Sequence, residues 1–293
     1  MRSGNLDSVY SLLNRMDTAR QLSEADRIYY QLIETQLRYR MRQPIEDTAA
    51  ISECVAYYAG VQKDARKLAQ AYYYRGMLEM ESGKTDEAVT SLKKAEEAAQ
   101  RLHDLDLKHK IYDSLSTLNF LSDNIALARK YTELALQCAR IRGDGLWYAY
   151  AYNHLACIYE ALGQKDSAWI YVQKSLPYIK TVGQKDRAVF LYMIGENCHR
   201  NNENRLAKHY LALSCKAFPT SSAYNLLASI YNQEGKKATA RALWKKAMEK
   251  ASLTDKTDIL DTIAHQQFGD GDFREAYGSL RQLMLLKDSV GKR

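Results

Sequence analysis

A chain of 293 residues with only 3 prolines and a wealth of Ala, Leu, Tyr, Lys and Arg suits long helices and offers little material for strand-and-turn folds, so an all-α class is expected. Its net charge of +7 arises from 42 basic and 35 acidic residues interspersed along the chain. No concentrated cationic face results, and nucleic acid is not expected as a partner. Five widely spaced cysteines (Cys54, Cys138, Cys157, Cys198, Cys215) contain no C-x-x-C pair, which points away from zinc and from a disulfide framework and toward free thiols between helices.

In chain order, Met1 to Asp17 reads MRSGNLDSVYSLLNRMD, without the apolar core of a signal peptide, and no run of about 20 apolar residues follows anywhere to span a bilayer. The chain as it stands is expected to be soluble; an excised targeting segment would leave no trace in it. Ser23 to Met41 is predicted to be helical with Ser23 as its cap, and Pro44 with Asp47 to open a second helix through Tyr58. These form an irregular leading pair over residues 1–68.

From residue 69 onward the sequence repeats. AYNHLACIYEALGQKDSAWIYVQKSL (Ala151 to Leu176) places Tyr152, Ala156 and Tyr159 on one helical stripe, turns at Gly163, and resumes with Ala168 and Val172. AYNLLASIYNQEGKKATARALWKKAM (Ala223 to Met248) matches it through Tyr224, Ala228, Tyr231, Gly235, Ala240, Trp244 and Ala247. Weaker copies align on Ala88, Ala128, Ala168, Ala207, Ala240 and Ala276, at separations of 40, 40, 39, 33 and 36 residues. Twelve positions before each alanine stand Gly76, Ser116, Ala156, Gly195, Ala228 and Ala264, all small; five before stand Gly83, Asp123, Gly163, Asn202, Gly235 and Gly271, all turn formers. Small columns are what two antiparallel helices need to approach closely. Approximate repeats are 69–102, 109–142, 149–182, 188–220, 221–254 and 257–290. Since one such pair cannot bury its own stripe, neighbours must stack.

These residues resemble the tetratricopeptide repeat, whose pattern of aromatic, Leu, small, Tyr, then Gly, Ala, aromatic, Ala is met almost fully at Tyr152 and Tyr224. The resemblance implies a right-handed α-α superhelix of about six helix pairs plus the leading pair. Glu79, Asn119, Cys198 and Gln267 depart from it by standing where it prefers Tyr, and only the fourth copy ends with the expected proline, Pro219. The longer spacings imply extended second helices such as Ser167 to Ile179. The phrasing SEADRIYYQLIETQLRYR, DTAAISECVAYYAG and KLAQAYYYRGMLEMESGKTDEAV is similar to tetratricopeptide proteins of Bacteroidetes, which implies an exported or membrane-tethered, signalling-related setting, with a periplasmic location among those it allows. The apolar load of the last helix, Phe273 to Lys287 (Leu280, Leu283, Met284, Leu286), suggests a natural chain that continues past Arg293, a partner or an end-to-end or homo-oligomer contact through 273–287, or an ordinary amphipathic end helix.

Chemistry leaves few marks. The chain holds no Gly-rich phosphate loop, G-x-S-x-G turn, H-E-x-x-H pair or kinase signature, and its six histidines are scattered. No catalytic residue, cofactor or metal is expected, and the protein is expected not to be an enzyme; an enzymatic reading would need a closed, acid-lined pocket. In a tetratricopeptide stack the first helices line the concave surface, and by this register the groove positions are Tyr73, Met77, Asp113, Thr117, Asn153, Cys157, Tyr192, Glu196, Asn225, Ser229, Asp261 and His265. Asn153 and Asn225 are the sharpest candidates, because an amide offers both donor and acceptor to the backbone of an extended peptide. The alternative is that each bonds a neighbouring helix. Lys110 with Asn153 is only a fragment of a carboxylate clamp. The expected role is a non-catalytic scaffold for a peptide or partner helix, with a sensory or regulatory domain of a larger membrane-associated signalling protein as the alternative.

Overall fold

The computed structural model describes residues 22–41, 43, 45, 48–61 and 64–290. Pro44 and Asp47, read above as a helix start, and the N-terminal stretch through Asp17 lie outside the described residues. Among the described residues there are fourteen α-helices and no strand: α1 (Glu24–Met41), α2 (Ala49–Val61), α3 (Ala65–Glu81), α4 (Thr85–Ala99), α5 (Leu105–Leu121), α6 (Ile125–Arg142), α7 (Gly145–Ala161), α8 (Lys165–Ile179), α9 (Gln184–Arg200), α10 (Asn204–Ala217), α11 (Ser221–Gln233), α12 (Lys237–Lys250), α13 (Leu253–Gly269) and α14 (Phe273–Val290). They group into two compact units, residues 1–144 and 145–293. Ser23 caps α1 as expected, its Oγ accepting from the Asp26 N–H at 3.2 Å.

The six pairs after the leading one each turn at the predicted column. Gly83, Asp123, Gly163, Asn202, Gly235 and Gly271 all have φ between 57° and 79°, the left-handed region that glycine occupies freely and Asn and Asp tolerate. Each turn closes the same way. Gly163 N–H donates to Glu160 O at 2.8 Å and Gln164 N–H to Tyr159 O at 2.9 Å, the 5→2 and 6→1 bonds of a Schellman cap, and the same two bonds recur at the other five positions. The column satisfies the orphan carbonyls at the end of every first helix and aims the chain back along it.

Close approach explains the small column. A Cβ on Gly76 would stand 2.9 Å from Leu92 Cγ, and one on Gly195 would stand 2.7 Å from Leu211 Cγ and 3.2 Å from Leu211 N. Ala88, Ala128, Ala168, Ala207, Ala240 and Ala276 are all buried on the facing helix. Beside them the large column fills the gap with Leu92, Val172, Leu211 and Trp244, each at most 5% exposed.

Two of the four departures from the repeat pattern are compensated across the pair. Where Tyr159 stacks on Tyr171 of the second helix with centroids 5.2 Å apart, the first copy instead has Glu79 accepting from Ser91 Oγ at 2.6 Å, and the last has Gln267 accepting from Ser279 Oγ at 2.8 Å. Both partners lie twelve residues on. Polar residue faces polar partner in both copies, so these half-buried side-chain oxygens are paired.

In the first unit the core runs from Ile28, Leu32 and Ile51 through Leu92 to Ile111 and Leu115. In the second it runs through Phe190, Ile194, Leu211 and Ile230, and continues around Trp244 and Ile259. The second unit ends on an uncovered stripe. Among the described side chains of α14 only Ala276 and Leu283 are buried, whereas Tyr277 is 70% exposed, Met284 67% and Leu280 44%.

Candidate functional site

Two clefts stand out, one in each unit. That of the first unit, about 430 Å³, is walled by Arg66, Leu102, His103, Asp104, Leu105, Asp106 and Arg142 at the α4–α5 turn. Its charges are matched within the wall: Arg66 lies 2.9 Å from Asp104 and Arg142 2.6 Å from Asp106. Asp104 also caps α5, accepting from Leu107 N–H at 3.1 Å. Those groups tie helices together.

The cleft of the second unit, about 260 Å³, opens between the first helices α9, α11 and α13 and is lined by Tyr192, Ser221, Ser222, Asn225, Leu226, Ser229, Asp255, Asp258, Ile259 and Thr262. Helix caps build it. Pro219 follows the end of α10, and Thr220 starts α11 by accepting from Ala223 N–H at 3.3 Å. Ser252 and Asp255 start α13 with a reciprocal capping box, Asp255 N–H donating to Ser252 Oγ at 3.1 Å and Ser252 N–H to the Asp255 carboxylate at 3.2 Å. The same carboxylate accepts from Ser221 Oγ at 3.1 Å, which links the first turns of α11 and α13. Deeper in, Ser229 Oγ donates to the Asn225 carbonyl at 3.1 Å and Thr262 Oγ1 to the Asp258 carbonyl at 2.8 Å.

Asn225 sits at the centre. Its Oδ1 accepts from Trp244 Nε1–H at 3.1 Å, and its Nδ2 lies 3.5 Å from Thr262 Oγ1. Tyr192, half-buried on α9, has its phenol pushed up to about 12, chiefly by burial and then by the Glu196 carboxylate. It therefore enters the cleft as a neutral hydroxyl at physiological pH.

The predicted groove residues divide. Tyr192, Asn225 and Ser229 come together in this cleft, while Asp261 and His265 lie exposed further along α13. Glu196 pairs with Arg200 at 3.1 Å on α9. Asn153 is 2% exposed on α7, its amide donating to Met193 Sδ at 3.4 Å. Cys157 is half-buried nearby, its thiol pushed up to about 11 by burial and then by Glu160. In the first unit Tyr73 and Met77 are buried in the core, Tyr73 edge-on to Tyr74 at 5.0 Å and Met77 Sδ accepting from Ser114 Oγ at 3.2 Å across to α5. Asp113 and Thr117 are half-buried on α5, Thr117 donating to the Asp113 carbonyl at 3.0 Å. The sequence reading did not pick out Ser221, Asp255, Asp258 or Thr262. A signal for Asp255 existed in the S-x-x-D capping pattern that starts at Ser252.

Fold and face together define the class: an all-α stack of helix pairs of the tetratricopeptide kind. Residues 69–101 and 149–176 match the tetratricopeptide repeat model, which are the first and third of the six pairs. The pair at 221–254 follows the pattern in sequence and in structure but falls outside the matched segments. The chain is similar to Response regulator aspartate phosphatase E of Bacillus subtilis (strain 168), 24% identical over 246 residues, which cover 76% of this chain and 64% of that protein. The chain thus spans just under two thirds of the curated relative it matches. Among solved structures it is similar to a Rap protein complexed with competence and sporulation factor (TM-score 0.69, 14% identity, covering 98% of this chain and 94% of that one). It is also similar to NprR in complex with its cognate peptide NprX (TM-score 0.64, 17% identity, covering 98% and 85%). At these identities the likeness is one of fold.

Proposed function

We propose that the chain is a peptide-binding scaffold whose second unit holds an extended peptide along its first-helix face, with Tyr192, Asn225, Ser229 and Thr262 contacting the peptide backbone. The observation that carries this reading is the cleft of about 260 Å³, which sets an asparagine amide and several hydroxyls beside Leu226 and Ile259, with Asp255 and Asp258 on its α13 wall. Groups of that kind bond a main chain independently of its side chains. The fold supports the reading too, since NprR and the Rap protein were solved with a peptide and with competence and sporulation factor. Asn153, 2% exposed with its amide on Met193, stays outside the contact surface in this reading.

Selection of a random linear peptide library on the full chain tests it directly. Enrichment of peptides that the Asn225→Ala variant releases supports the proposal; enrichment that ignores Asn225→Ala, or none at all, contradicts it.

A regulatory version follows from the same face. The phosphatase name of the Bacillus relative favours a response regulator as partner protein, and the resemblance to Bacteroidetes proteins favours a setting tethered to a membrane, as part of a longer signalling protein. No described helix is long and apolar enough to cross a membrane. Of the two cleft carboxylates, that of Asp255 is committed to the cap and to Ser221, which leaves Asp258 without a free carboxylate partner for acid–base work. An end-to-end contact through 273–287 belongs to this reading, with a second copy covering the α14 stripe. Sedimentation of a dimer that Tyr277→Arg dissociates supports it, and a monomer at every concentration removes it.

A further inference from the structure

Trp244 belongs to α12, a second helix, yet its polar atom reaches into the first-helix layer. The ring fills the large column at 5% exposure, while Nε1–H donates to Asn225 Oδ1 at 3.1 Å. An indole nitrogen only donates, so the amide atom facing it is the oxygen, and the orientation of Asn225 follows from chemistry. Nδ2 is thereby turned toward α13, where Thr262 Oγ1 lies at 3.5 Å. The Thr262 hydroxyl proton is used on the Asp258 carbonyl at 2.8 Å, so toward Asn225 that oxygen acts as an acceptor. A primary amide carries two N–H groups. One is directed at Thr262 and the other is left for the cleft.

We infer that Trp244 is a positioning residue for the peptide site: by holding the Asn225 oxygen at the buried indole it turns the amide nitrogen toward the cleft wall, so the cleft takes a peptide carbonyl at this point. This rests on the peptide-binding reading above and sharpens it. An unrestrained asparagine would accept from a peptide N–H as readily as donate to a peptide C=O; here the oxygen is turned to the buried indole and the nitrogen to the α13 side of the cleft. A terminal carboxylate is disfavoured by Asp255 and Asp258 on the same walls, which leaves a carbonyl from the interior of a peptide. The device is confined to one repeat. The equivalent column elsewhere holds Leu92, Thr132, Val172, Leu211 and Leu280, none with an N–H to offer, and Asn153 donates to a sulfur instead.

The test takes a peptide enriched from the random library by the full chain and measures its affinity for Trp244→Phe, Asn225→Ala and the double variant. Trp244→Phe retains a buried ring and removes only the N–H. Each single change is expected to weaken binding about tenfold, and the double variant to bind no more weakly than Asn225→Ala alone, because both remove one interaction. Asn225→Asp keeps the acceptor for Trp244 but loses the donors, so it is expected to lose binding while the bond to Trp244 still holds the side chain; it stands in for Trp244→Phe should that variant not fold. An ester scan of the peptide backbone removes one N–H and weakens the carbonyl on the same bond, whereas N-methylation removes only the N–H; one position that loses affinity as the ester and keeps it as the N-methyl amide, in the native chain and not in Asn225→Ala, is the expected result.

Native affinity in Trp244→Phe, additive losses in the double variant, or full binding by Asn225→Asp would overturn the positioning role while leaving the groove in place. Undiminished binding by Asn225→Ala, or no enriched peptide, would overturn both.

Discussion

Cysteines in this chain behave as small apolar residues. Burial pushes the thiols of Cys54, Cys157, Cys198 and Cys215 up to about 11. Cys54 is also held by donating to the Ile28 carbonyl at 3.3 Å. Since the thiolate is the reactive form, iodoacetamide at pH 7.5 is expected to label them slowly in the native protein and rapidly in denaturant, as intact-mass spectrometry reads out. Fast native labelling would contradict the packing described. A second residue-scale expectation concerns Glu53, whose carboxylate accepts from both Arg27 guanidinium nitrogens at 2.9 and 2.7 Å and from Gln31 at 3.1 Å. Those bonds hold its pKa at about 2, below its ordinary 4.5. A depressed folded-state value means the contribution is present above pH 4.5 and is lost as pH falls toward 2. Hydrogen exchange along α1 and α2 is expected to quicken across that window, and Glu53→Gln to remove the part of the dependence due to this carboxylate. Because the pair is exposed, the effect is small.

At the scale of helices, two columns carry the architecture. Gly195→Ala would drive a methyl to within 2.7 Å of Leu211 Cγ and toward its backbone, costing about 1 to 3 kcal/mol in chemical denaturation. Trp244→Ala, which empties a filled position, is expected to cost about 3 to 5 kcal/mol. A shift within about 0.5 kcal/mol for either would contradict the packing. Both columns were legible in the sequence because a helix pair demands small residues and left-handed turns at fixed offsets, whatever else varies. The compensated pairs at Glu79 and Gln267 were legible only as departures, since their serine partners are on another helix. Groove positions were less legible. Helical spacing put Tyr73, Met77 and Asn225 on one list, yet a residue facing the next first helix and one facing open space share the same period. Tyr73 and Met77 fall in the first class. What sets Asn225 apart is an indole nineteen residues away, for which no local pattern exists.

For the molecule as a whole, the account holds that helix pairs of the tetratricopeptide kind form two compact units, and that the second binds an extended peptide on its first-helix face. Binding would be built almost wholly from first helices, while second helices α10, α12 and α14 supply the packing behind them. Hydrogen exchange of the full chain, with and without a saturating library-selected peptide, tests that division most directly. Protection concentrated in the first turns of α11 and α13 and in the middle of α9, with the exposed faces of α10, α12 and α14 unchanged, is the predicted result. Protection confined to the second helices, with α11 and α13 exchanging as in the free protein, would contradict it.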